Sequence, residues 1–299
     1  MININDAIEF LKEEIIDIRG DTDNVFVENL KPLGEENPNT LNWINSKIKT
    51  KQSIAENTKS KVIICDSSIQ YSQKLKKQNK ILIHVKNPKL AISLVTNHFF
   101  VKKVKPYIHE TASIHPKAEI HETAYIGANC SIGNCKIGKN TVIHANTSIY
   151  DDVKIGNNCL IQAGVVIGTD GLGCERKEDG TLIKFPHFGG VIIEDNVEIG
   201  ANSQIAKGAL SNTIIGEGTK INGLCFIAHN CIIGKNAWIT GNSMLAGTVK
   251  VGNNVNIFSG AIVREQRTIG KGSTIGMGAV VTKNVPNGET WIGNPAKKI

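Results

Sequence analysis

The chain has 299 residues, a formal net charge of +7, 40% hydrophobic residues, 5% aromatic residues and 29 glycines. That length holds one large domain or two modest ones, and the composition suits stacked aliphatic layers better than an aromatic-rich core. The charge is too diffuse for a nucleic-acid surface and no window approaches a membrane span. Asp6 and Glu9 interrupt any leader early, so a soluble, cytoplasmic protein without a transmembrane segment is expected.

In chain order, residues 1–105 read as a small α/β domain. Asp6 to Ile16 predicts a helix with Ile8, Leu11 and Ile15 on one face. KVIIC (61–65) and ILIHV (81–85) predict buried strands, and residues 89–100 a helix after the Asn87-Pro88 turn. Beyond Pro106 the pattern changes. Aliphatic residues recur every six positions from Ile108 to Ile132 and, after one skipped residue, from Ile137 to Ile167. The beat stops at Gly168 for a charged, glycine-rich excursion (168–190), resumes at Ile193, Ile199 and Ile205, and carries a surplus at 208–213. It then runs unbroken from Ile215 to Val281. Residues 106–285 are therefore expected to form one repetitive domain, followed by a tail at 286–299.

Six is even, so in extended chain every marked residue points to one side. A solenoid of short strands would stack each marked residue on a later one. Gly216, Gly234, Gly252, Gly270 and Gly276 directly follow marked residues, which predicts corners there that need permissive backbone. His109, His115 and His121 follow three successive beats and so fall on three different faces. Zinc ligands must converge, so these are expected to be turn residues, and no metal is expected. Cys130, Cys135, Cys159, Cys225 and Cys231 lie within coils and read as small packed thiols.

The hexad Ile/Val-Gly-x-x-Ser/Ala/Thr-x resembles the hexapeptide-repeat acyltransferases. The resemblance implies a mainly β protein: a left-handed parallel β-helix, here preceded by the small α/β domain, and a homotrimer. Gly20-Asp21, residues 27–45, residues 87–95 and the block 168–234 are similar to the UDP-3-O-acylglucosamine N-acyltransferases of lipid A synthesis. That similarity makes residues 1–105 a nucleotide-recognition domain in which Trp43 stacks on the base. The family's second aromatic position holds Lys49 here, which implies altered base recognition. Residues 276–299 look like the ending of acyl-CoA-dependent sugar acetyltransferases, implying that Lys283 and Lys297 meet coenzyme phosphates. The C-terminal helices by which lipid A enzymes meet acyl carrier protein have no counterpart in this stretch.

Acyl transfer from a thioester to an amine needs a base and a donor to the tetrahedral oxyanion. Among eight histidines, His229 stands out, because it occupies a hexad corner where a small or turn-forming residue is usual. The family motif Ile-Ala-His-Asn (227–230) also places the general base there. By the same analogy the Gly247 N–H is the oxyanion donor, Asn230 joins substrate binding, and His187 contacts the acceptor or caps the excursion. The chain has Ala206-Lys207 where the family has Asp-Arg, Asn222-Gly223 where it has Asp-Asn, and no histidine at 264–267. The expected function is N-acylation of a nucleotide-linked amino sugar in bacterial surface-glycan synthesis, with acyl-CoA as donor. The alternatives are the lipid A reaction with acyl carrier protein, and a non-catalytic scaffold or sensor.

Overall fold

The computed structural model describes residues 1–299 as two compact units, Met1–Lys103 and Val104–Ile299. In the first, strands Ile15–Arg19, Ile81–Val85, Val62–Cys65 and Leu41–Trp43 form a sheet in that spatial order, parallel except for the first pair. Val62–Cys65 and Ile81–Val85 are buried throughout, as their continuous apolar runs predict. Pro88–Val95 is helical: the Asn87 side chain accepts from the Leu90 N–H at 3.2 Å, and Ala91, Ile92 and Val95 are buried. The first helix is shorter than predicted, spanning Ile4–Phe10. Its tail becomes the edge strand Ile15–Arg19, because β-branched Ile15, Ile16 and Ile18 fit a pleated surface better than a helical turn.

This unit buries a carboxylate. Glu36, 7% exposed, accepts from Thr58 Oγ1 at 2.7 Å, from the Lys59 N–H at 3.2 Å and from the Gly34 N–H. Burial alone would raise its pKa, but these hydrogen bonds to the charged form outweigh it and bring the group down to about 2. The unfolded carboxyl titrates near about 4.3, so the stabilisation is complete above that pH and is lost as pH falls toward 2. Thr58→Val is expected to flatten the acid dependence of urea-unfolding stability between these limits. An acid slope as steep as wild type would contradict this account.

The second unit is a left-handed parallel β-helix whose walls are sheets of 11, 9 and 8 strands. Most beat residues end a short strand, and from Ile126 onward they point inward and are buried. Ile221, Ile239, Ile257 and Ile275 stack in register along one sheet, each at most 1% exposed. The corners correct the sequence reading. Gly216 does not have a positive φ; rather, a Cβ there would come 2.6 Å from the carbonyl carbon of Gly234, so glycine serves close stacking of coils. The left-handed residue lies three positions after the beat and is mostly asparagine: Asn196, Asn202, Asn230, Asn236, Asn242 and Asn254 have φ between 52° and 60°. Asparagine tolerates that region better than other residues with a Cβ.

His109, His115 and His121 are turn residues: each Nδ1 accepts the backbone N–H two residues on, at 3.1–3.2 Å. The coil cysteines are buried, and burial pushes Cys135 and Cys231 up to about 12, so both are unreactive thiols at neutral pH. Residues 286–299 belong to this unit. Thr290–Ile292 continues one sheet in parallel, Lys297–Lys298 returns antiparallel to it, and buried Ala296 donates its N–H to the Val280 carbonyl at 2.8 Å. The tail thereby packs onto the last coils of the β-helix. No helix of the chain is long and apolar enough to cross a membrane.

Candidate active site

His229 stands at the corner after strand Phe226–Ile227, half-buried, on the 9-stranded sheet. Both interruptions of the beat fold back onto it. The excursion forms a hairpin, Cys174–Arg176 paired with Leu182–Lys184, and returns His187 to a T-shaped contact with His229: centroids 5.4 Å apart, planes at 78°. The surplus at 208–213 brings Ala209 and Ser211 to Asn230.

These contacts fix the proton positions. Asn230 Oδ1 accepts the Ala209 N–H at 3.0 Å, while its Nδ2 donates to the Ser211 carbonyl at 3.3 Å and to Ser211 Oγ at 2.9 Å. The amide therefore turns its oxygen toward His229 Nδ1, 3.0 Å away, and Nδ1 must be the donor. In the neutral ring the lone pair is then on Nε2, the arrangement a general base requires. Asn230 thus acts here as a positioning residue, by orienting His229, and serves as the regular left-handed corner residue as well.

Gly247 occupies the same corner one strand farther along, and a Cβ there would come 2.6 Å from His229 Nε2 and 2.7 Å from Cε1. Its N–H donates to no backbone carbonyl. Gly241, at the equivalent position of another corner, is likewise free, so closeness to His229 is what distinguishes Gly247. Gly247 does not have a positive φ, so alanine is allowed locally and would act mainly by displacing the imidazole. Gly247→Ala is expected to lower turnover on the order of 100-fold with the thermal midpoint almost unchanged. Near-wild-type turnover would dissociate this glycine from the chemistry.

His187 does not face open acceptor space. It is 6% exposed, and its Nδ1 meets the Phe185 carbonyl at 3.0 Å, because the hairpin folds it under its own loop. A charged cluster lies beside the site: Asp170 and Lys184 have no role in the sequence reading, and Lys207 stands there only as a departure from the family's Asp-Arg. Asp170 pairs with Lys184 at 2.5 Å and with Lys207 at 3.2 Å; these lysines, Lys184 foremost, hold its carboxyl below the usual carboxylate range. The charged character of 168–190 was the available signal, but the pairing depends on where the hairpin lands. Lys283 is exposed and follows strand Val280–Val281 at the same corner, three strands beyond His229, or roughly 14 Å at about 4.8 Å per strand. Lys297 is exposed on another sheet. Trp43 lies in the first unit, half-buried against its core.

The family of bacterial transferase hexapeptides (six repeats) matches residues 134–169, and the hexapeptide repeat of succinyl-transferase matches 190–222. The two matches end on either side of the excursion. Among curated relatives, a UDP-3-O-acylglucosamine N-acyltransferase of Polynucleobacter asymbioticus is 29% identical over 252 residues, 75% of this chain and 70% of that protein. The chain resembles the hexapeptide-repeat acyltransferases. Proteins with the same printed name include one from Coxiella burnetii, 38% identical over 146 residues (38% of this chain, 43% of the relative). Another, numbered 1, from Francisella tularensis is 36% identical over 202 residues (58% and 56%), so these two matches span about half of each relative's length. Among solved structures, UDP-N-acetylglucosamine O-acyltransferase of Moraxella catarrhalis superposes with a TM-score of 0.59 at 28% identity, covering 64% of this chain and 73% of that one. The Francisella novicida UDP-N-acetylglucosamine acyltransferase gives 0.59 at 29% identity, covering 64% and 68%.

Proposed function

We propose that the chain transfers an acyl group from a thioester to the amine of a nucleotide-linked amino sugar, with His229 as general base. The observation that carries this reading is the imidazole held with Nδ1–H on Asn230 and its Nε2 lone pair beside Gly247. Nε2 would take a proton from the attacking nitrogen as the carbon–nitrogen bond forms. The Gly247 N–H would donate to the developing oxyanion, and the proton would pass to the departing thiolate.

The names of the relatives favour the lipid A form of the reaction over the acyl-CoA form: a UDP-3-O-acylglucosamine acceptor and a 3-hydroxyacyl carrier protein donor. On this reading Trp43 offers a ring face to the nucleotide base, and Lys283 meets the phosphate of the donor's pantetheine arm. Lys297, on the returning strand Lys297–Lys298, keeps a role toward coenzyme phosphates only in the acyl-CoA form of the reaction. Exposed Phe188 and Leu210, both 74% accessible and lying within the site's two insertions, support a site shared between protomers of a homotrimer. The deciding experiment compares turnover with 3-hydroxyacyl carrier protein and with acetyl-CoA on UDP-linked 3-O-acylglucosamine. Turnover with the carrier protein alone supports the lipid A form, turnover with acetyl-CoA alone supports an acyl-CoA donor, and turnover with neither removes the lipid A form.

A further inference from the structure

His187 carries an anomaly. Its ring is 94% buried, its Nδ1–H is committed to the Phe185 carbonyl at 3.0 Å, and its Nε2 is buried with no hydrogen-bond partner. Leaving an acceptor unpaired in the interior costs about 1–3 kcal/mol. The orphan nitrogen and the edge of His229 meet at Gly171: a Cβ on that residue would come 2.7 Å from His187 Nε2, 2.7 Å from His229 Cδ2 and 2.9 Å from His229 Cβ. Only glycine leaves the two rings this close.

Building on the reading of His229 as the base, we propose that His187 is a positioning residue that acts electrostatically through His229. Its buried lone pair stabilises the imidazolium formed when His229 takes the substrate proton. In the resting site the lone pair faces a neutral ring and is uncompensated. Once His229 Nε2 is protonated, the positive charge spreads over the whole ring, including the Cδ2–H edge nearest His187, and the fixed lone pair then has a partner. Nothing reorganises at that moment, because the Phe185 carbonyl already holds the His187 tautomer. Because Nε2 is buried, His187 does not touch the substrate. The other charged groups on the packed segments are Asp170, next to Gly171, and its partners Lys184 and Lys207; all three remain when His187 is replaced.

The sign is definite. Stabilising the imidazolium favours proton uptake by His229, so removing the lone pair makes His229 a weaker base. In His187→Phe, the acid limb of the kcat–pH profile is expected to move down by about half a unit to one unit, with kcat about 3- to 10-fold lower on the plateau. His187→Gln, whose side-chain oxygen restores an acceptor, is expected to hold the limb near wild type. The position of the limb does not depend on how much of the protein is active, so a partly misfolded variant still gives a reading. An unmoved limb in the Phe variant, or equal shifts in Phe and Gln, overturns the inference. Failure of His229 itself as the base would appear separately, as undiminished turnover in His229→Ala.

Discussion

Replacing His229 with alanine is expected to lower kcat about 100- to 10,000-fold, the range supplied by a positioned general base. Folding should be spared, because the side chain is half-exposed and its backbone carbonyl still accepts the Thr248 N–H at 2.8 Å. The acid limb of the pH–rate profile should vanish with the imidazole, leaving a slow, nearly flat rate. Two measurements on one preparation suffice: steady-state turnover across pH 5–9 and thermal unfolding. Turnover within a few-fold of wild type, with an intact midpoint, would take His229 out of the chemistry and assign the proton transfer to another group.

The second large effect concerns the interior. Ile239 is fully buried and stacks between Ile221 and Ile257 in register. Ile239→Ala should destabilise by about 2–5 kcal/mol, since the rigid coils above and below cannot collapse into the gap. Against a total stability of about 5–15 kcal/mol, that is a large fraction. In a solenoid each coil is held mainly by its neighbours, so the loss should also reduce cooperativity and lower the denaturant m-value. Lys250→Ala, on an exposed outward position, is the control and should change stability by less than about 0.5 kcal/mol. Equal effects at the two positions would refute the assignment of the six-residue beat to the core.

Much of the architecture was legible because its periodicity is simple. An aliphatic residue every sixth position maps directly onto inward-facing strand ends, and Ile221, Ile239 and Ile257 lie where that mapping puts them. The handedness was not contained in the pattern and followed only from the resemblance. The corner glycines that follow the beat directly serve close coil stacking, while the left-handed position three places after the beat is filled mostly by asparagine. The first helix was drawn too long because Ile8, Leu11 and Ile15 fit a helical period by coincidence, while Ile15, Ile16 and Ile18 also suit a strand. His229 was visible as a bulky ring in a place for small residues. The pairing of Asp170 with Lys184 and Lys207 was not, although Lys207 stood out as a departure from the family pattern, since that meeting depends on where a hairpin and a coil land. The excursion and the surplus are where side chains converge on His229 and Asn230, and the third break, the skipped residue before Ile137, has no such role.

The shared corner of His229, Gly247 and Lys283 has a consequence for how such a chain changes over evolution. Every position along that edge is set by counting strands, and a strand can be gained or lost there only with a full circuit of three hexads. The span between the reacting nitrogen and any group farther along therefore varies in increments of about 4.8 Å and never continuously. Duplicating or deleting one circuit between His229 and Lys283 would refit the enzyme to a longer or shorter partner while leaving every local turn intact. Insertions of one or two hexads would rotate the downstream residues onto a different wall, whereas other lengths loop out at a corner, as residues 168–190 and 208–213 do.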